Sequence, residues 1–393
     1  MIKILILSLI CSSVFANPQN VSTSKNALLE SAIDLTGGAV NAKRGNDIWG
    51  WTDPQSQKEY VIMGLDSKTS FIDVTDVKKP IHLADLKTAT RSSTWRDVKI
   101  YKHFAYVVSE ASSHGLQIFD LHRLRAMDGK NVQNVKADAR NRDFGSAHNI
   151  FINEDSGYAY AVGAKTCDGG LHIMDLKNPL DPKFVNCVGR GVYEIPTKHG
   201  DAYTHDVQCV IYHGPDINFL GQEICISSNE DTVNIVNVTD KNKPYQISAA
   251  SYDGVKYTHQ GWLTEDHQYF LLGDELDEKK FRTNTKTFIW DFSDLANPTN
   301  FAVFEHNSKA IDHNMYVKGN YVYQANYNAG LRILDLTNIS SGIITEAGFV
   351  DTMPNDDGAV FEGVWSVFPY FDSGTVAISG INGTLYLTRP KLK

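Results

Sequence analysis

One short phrase recurs along this chain and limits what the chain can fold into. Ser70-Phe-Ile-Asp-Val-Thr-Asp, Leu116-Gln-Ile-Phe-Asp-Leu, Leu171-His-Ile-Met-Asp-Leu, Val233-Asn-Ile-Val-Asn-Val-Thr-Asp, Thr287-Phe-Ile-Trp-Asp-Phe and Leu331-Arg-Ile-Leu-Asp-Leu are versions of it, and Leu385-Tyr-Leu-Thr is a weaker seventh. The shared polar position falls at Asp73, Asp120, Asp175, Asn237, Asp291 and Asp335, with gaps of 47, 55, 62, 54 and 44 residues. Each copy is an apolar, β-prone strand closed by a turn-forming side chain, and several run on to a proline (Pro80, Pro182, Pro244, Pro298). These aspartates are expected to cap nearby backbone N–H groups, since asparagine does the same work at 237.

Two strands precede each phrase, as in Asp97-Val-Lys-Ile and Ala105-Tyr-Val-Val, and a fourth follows, as in His82-Leu-Ala-Asp-Leu. Four antiparallel strands in about fifty residues is the blade of a β-propeller. The spacing predicts an all-β, seven-bladed ring, with blades near 46–90, 92–145, 146–200, 203–255, 257–308, 311–355 and 362–390. The last blade stops at its third strand, whereas Ser31-Ala-Ile-Asp-Leu-Thr-Gly resembles a fourth strand without a blade. The N-terminal strand is therefore expected to pair into the last blade and close the ring; an open solenoid of the same repeats is the rival. Helical periodicity is nearly absent, with one short candidate around 121–127.

Residues 1–16 read as a signal peptide: Lys3, an apolar stretch from Ile4 to Ile10, and Ala16 at the cleavage point. Residues 17–30 then form a polar leader, and 31–393 a single propeller domain. Beyond the signal no segment is long and apolar enough to cross a membrane, so a secreted or periplasmic monomer is expected. Four cysteines remain in the mature chain, Cys167, Cys187, Cys209 and Cys225. An even number in an exported protein points to two disulfides, with three connectivities open. The alternative, a four-thiolate metal site, lacks any CxxC spacing. A net charge of -9 argues against nucleic acid as a partner.

The repeat phrases match the LVIVD pattern, and longer stretches are more specific: Tyr203-Thr-His-Asp-Val-Gln-Cys-Val, Tyr257-Thr-His-Gln-Gly-Trp-Leu, Asp274-Glu-Leu-Asp-Glu, Ala310-Ile-Asp-His-Asn and Tyr323-Gln-Ala-Asn-Tyr-Asn-Ala-Gly-Leu-Arg. On these residues, across nearly the whole mature chain, the sequence resembles the choice-of-anchor B proteins. The resemblance implies an exported propeller and brings no established activity. Members of that family end in surface-sorting tails. Here Leu387-Thr-Arg-Pro leads to Lys393 without one, so no C-terminal anchor is expected.

In a propeller the innermost strands line the axis. Aligning the blades places His148, His205, His259 and His313 at or near the start of that strand in four consecutive blades, with Trp49, Trp95 and Trp365 in the matching places of the others. Four imidazoles converging on an axis suit a transition-metal ion, and Asn149, Asp206, Gln260, Asp312 and Asn314 stand beside them as orienting partners. They equally suit hydrogen bonding to neighbouring turns, or metal-free acid–base work. Polar turns on the same face add Asp66, Glu110, Asp168, Glu230, Asp231, Asp274, Glu275 and Asn326. Asp274, Glu275, Asp277 and Glu278 offer oxygen ligands for Ca2+, but without EF-hand spacing and with Lys279 and Lys280 following. A solvated acidic turn is expected there.

No phosphate loop, nucleophile elbow or HExxH helix is present. The expectation is a binding module that meets an extracellular protein, a glycan or a small polar ligand through its histidine- and acid-rich face. The alternative is a metal-dependent lyase or hydrolase acting on an anionic or carbohydrate substrate. Glu110, Glu230 or Asp274 would then be its general base, and Arg96 would hold substrate charge.

Overall fold

A computed structural model describes residues 23–193 and 202–392. The expected signal peptide lies outside the described residues. Seven antiparallel sheets stand around one axis, each with four strands in blade order. The innermost strands are Gly45–Thr52, Arg96–Tyr101, Asn149–Asn153, Asp206–Ile211, Thr258–Leu263, Met315–Lys318 and Val364–Phe368, and each touches the next, the last meeting the first. The molecule is a seven-bladed β-propeller, nearly all β.

Closure follows the expected route. Leu29–Asp34 pairs antiparallel with Thr384–Thr388 and supplies the fourth strand of blade seven. The pairing starts at Leu29, and Thr23–Lys25 pairs with Thr345–Asp351 on the outer edge of blade six, so part of the segment read as a leader is strand. Blade one gains a similar outer cover, because Gln133–Val135 from the long insertion of blade two lies parallel to Ile81–Lys87. Such covers shield strand edges from other chains. The insertion itself opens with a 3-10 turn, Leu121–Ala126, where a helical candidate was expected.

The repeat phrase works as its chemistry predicts. Asp73, Asp120, Asp175, Asn237, Asp291 and Asp335 each accept the backbone N–H two residues on through Oδ1. In blades one, three, four, five and six a bulge falls just before that residue, between the third and fourth strands. A bulge sharpens right-handed twist, which a blade must accumulate from the axis to the rim. The core consists of seven apolar layers, one in each seam between neighbouring blades, and a small eighth cluster of Ile311, Tyr327 and Ile381. Phe71 of blade one, for instance, meets Phe119 of blade two at 4.4 Å between ring centroids.

The cysteines pair locally. Cys167–Cys187 ties the second turn of blade three to its fourth strand, and Cys209–Cys225 joins the two inner strands of blade four.

Candidate functional site at the axial mouth

Near the start of the inner strand in blades one to four stands a polar residue followed by an apolar one. Asp47, Asp97, Asn149 and Asp206 each accept the N–H of the very next residue, so the side chain turns back and stays in the ring. Bonds between blades lace this belt together. Asn149 donates to Asp206 at 2.6 Å, the Ile150 N–H donates to Asp97, and Gln260 exchanges two bonds with Met315. Lys99 enters the channel below and pairs with Asp97 at 2.7 Å. Burial pushes the Asp206 carboxyl up to about 7.

One residue earlier, facing the mouth, stand Asn46, Arg96, His148, His205, His259, His313 and Trp365. The register therefore differs from the expected one in two blades. Arg96 takes the place expected for Trp95, because Asp97 is the belt residue of blade two. Asn46 takes the place expected for Trp49, because the inner strand of blade one bulges between Gly45 and Ile48. Trp95 stands outside on the rim, 44% exposed. Trp49 lies toward the other end of the axis, where it packs on Tyr316 and Phe368 and lines a cup of about 420 Å3 with Trp262 and Tyr370.

The four histidines form a continuous arc. Ring centroids are 4.2 Å apart from His148 to His205, 4.2 Å from His205 to His259 and 4.4 Å from His259 to His313. The Nδ1–H of His205 donates to the His259 carbonyl, and that of His313 to the Trp365 carbonyl. A carbonyl accepts only from N–H, so these bonds leave the Nε2 lone pair of both rings available. Burial pushes His313 down to about 3, and burial with the adjacent imidazoles lowers His205 and His259 well below the usual range. All three are neutral at pH 7. His148 is different: its Nδ1 meets Glu110 Oε1 at 2.6 Å on the half-open rim.

Glu275 closes the arc from above. Its two carboxylate oxygens lie 3.7 Å from His259 Nε2 and 3.7 Å from His313 Nε2, and the Tyr327 hydroxyl donates to Oε1 at 2.6 Å. One ligand atom from each of His259, Glu275 and His313 falls within 4.8 Å of the others. Two donors on one Zn-like ion, each bonded at about 2.1 Å, stand at most about 4.2 Å apart. Each 3.7 Å pair meets that limit through its own Glu275 oxygen, whereas one atom from each of the three residues falls only within 4.8 Å, so the trio would close slightly around a single transition-metal ion. The mouth cavity holds about 20 Å3, room for an ion or one water.

The other predicted residues are engaged in different contacts. The Arg96 guanidinium turns into the seam of blades one and two, onto Leu65 O, Thr88 Oγ1 and His114 Nε2. Asp274 is buried and accepts from Tyr252 Oη and from the backbone N–H of Lys256, Tyr257 and Leu276. Glu230 adopts a left-handed backbone and its carbonyl accepts from Thr258 N. Of the neighbours Asp274 and Glu275, it is Glu275 that faces His259 and His313.

Asp277 and Glu278 are not solvated as expected. They open the short helix Asp277–Phe281 and are 3% and 1% exposed, beside an equally buried Asp312. Burial pushes Glu278 up to about 11.

No helix among the described residues is long and apolar enough to cross a membrane. No curated protein matches the chain. A family model for the LVIVD repeat matches residues 313–352, which span all four strands of blade six. With the same phrase closing the third strand of blades one to six, the molecule is an LVIVD-repeat propeller of seven blades.

Proposed function

We propose that this propeller is an exported binding module that captures a small polar ligand at the histidine-bearing mouth of its axis, through a transition-metal ion held by His259, His313 and Glu275. The convergence of two imidazole Nε2 atoms on one carboxylate at 3.7 Å carries this reading. His205 stands next in the arc, outside that trio, with its ring 4.2 Å from that of His259. The cavity is ion-sized, so the ligand sits on the rim, where Trp95 and Trp365 offer ring faces to a sugar or another flat polar group. A bound cation would supply the positive charge that an anionic group on that ligand seeks. Two disulfides suit an oxidising compartment.

The test is metal content and affinity of the full chain with its disulfides formed. After chelation and dialysis, Zn2+ titrated by calorimetry is expected to bind once per chain. His259→Ala and His313→Ala are each expected to weaken that binding by about a hundredfold or more. A protein that takes up no transition metal, with melting unchanged in both variants, would remove the proposal. A metal-dependent lyase or hydrolase is the second reading, favoured by the Tyr327 hydroxyl set against Glu275 as a proton-bearing neighbour. Turnover of an anionic saccharide that disappears in Tyr327→Phe, with Zn2+ affinity intact, would select it over plain binding.

A further inference from the structure

We propose that Asp277, Glu278 and Asp312 form a second, oxygen-only site that takes a hard divalent cation, Ca2+ first, in the seam between blades five and six. Asp277 and Glu278 come from the short helix in the second turn of blade five, and Asp312 from the entry to the inner strand of blade six. One oxygen of each falls within 4.8 Å of the others. Oxygens bound to a single Ca2+ at about 2.4 Å lie no more than about 4.8 Å apart, so the spacing matches that ion. The donor set contains neither nitrogen nor sulfur, which separates it from the histidine arc and selects a hard cation.

A cluster of carboxylates alone would say little. Here, however, Glu278 and Asp312 are each 1% exposed, and all four of their carboxylate oxygens lack any hydrogen-bond donor, as does Asp277 Oδ1. An orphaned buried acceptor is costly unless a cation or a proton meets it. The ammonium that does arrive, Lys286, touches the remaining Asp277 oxygen, Oδ2, at 3.1 Å. Of the two lysines that follow in sequence, Lys279 is turned away and lies over the Phe361 ring at 4.3 Å. Gly273 adds an independent sign: a Cβ there would collide with Asp312 Oδ2, so the backbone of blade five is stripped of a side chain where this carboxylate stands. Surface depressions of about 400 and 320 Å3 are lined in part by Asp277 and by Glu278 respectively.

The rival account is a set of carboxyls that share protons, and experiment separates the two. The full chain, chelator-treated and returned to neutral buffer, is titrated with Ca2+ by calorimetry and melted with and without the ion. One Ca2+ per chain and a rise of several degrees in Tm are expected. Asp312→Asn is expected to weaken binding about tenfold or more, because Ca2+ affinity follows ligand charge. The double variant Glu278→Gln/Asp312→Asn is expected to lose the response. His259→Ala should keep it, so failure of the axial metal site and failure of this one are told apart. Wild-type protein that binds no Ca2+ and melts identically in chelator would overturn the site, even if no variant folds. A double variant that still binds Ca2+, or one that melts higher than a Ca2+-insensitive wild type, would overturn it as well.

Discussion

Buried histidines outside the arc make the protein sensitive to acid. His114 is fully buried; its Nδ1–H donates to Gly115 O, and its Nε2 accepts from Arg96 Nη1 at 3.1 Å. Burial, then Arg96 and Arg140, push it down to about 3, and burial and Arg332 do the same to His306. Unfolded, each takes a proton near pH 6.5; folded, neither does until about pH 3. The stability they contribute is complete above about pH 6.5 and is lost as pH falls toward 3, at up to about 1.4 kcal/mol per group per pH unit. Thermal melts between pH 7 and 4 should show Tm falling, and His114→Gln should flatten that fall. An unchanged slope would refute the account. Sequence alignment found the arc because repeats put like residues at like places. It did not separate Glu275 from Asp274, which are adjacent, equally acidic and in the same turn. What divides them is that four donors converge on Asp274, while Glu275 reaches across to blade six.

Strands were easier to read than turns for a physical reason. The repeat strand announces itself by a β-prone apolar run and a closing aspartate or asparagine, and these local signals hold in blades one to six. The five-residue helix Asp277–Phe281 is shorter than two helical turns, so no period is visible in it, and its acidic start reads as solvent-facing. Burial of Asp277 and Glu278 comes from Asp312, some 35 positions away, which no local pattern reports. The disulfides are local, and their effect can be stated. Cys209 and Cys225 face each other in paired strands, at a sequence separation of 16. Cys209→Ala/Cys225→Ala should cost about 3 kcal/mol in urea unfolding on the chain-entropy model. A loss under about 0.5 kcal/mol would show that the unfolded chain gains little from the missing tie.

At the scale of the whole molecule, the strand Leu29–Asp34 does more than complete a blade. Ala27 and Leu29 enter the apolar layer between blades six and seven, and Leu35 enters the one between seven and one. Removing residues up to Leu35 exposes the edge of Thr384–Thr388 and thins two of the seven seams. The truncated protein is expected to associate on gel filtration and to lose its sharp melt. A synthetic peptide of residues 27–36 added in trans should restore both. A monomer with the wild-type Tm would show that the ring holds without its clasp.

The same clasp has a consequence in time. Leu29 pairs with Thr388, so two of the most distant parts of the described chain must meet before the last seam seals. Translation delivers Leu29 first and Thr388 some 359 residues later. At about 5–20 residues per second, the first strand waits roughly 18–72 seconds for its partner. Throughout that wait a half-apolar strand with an unpaired edge is displayed by every growing copy. For this molecule, the hours of peak synthesis rather than the mature fold are when a chaperone matters most.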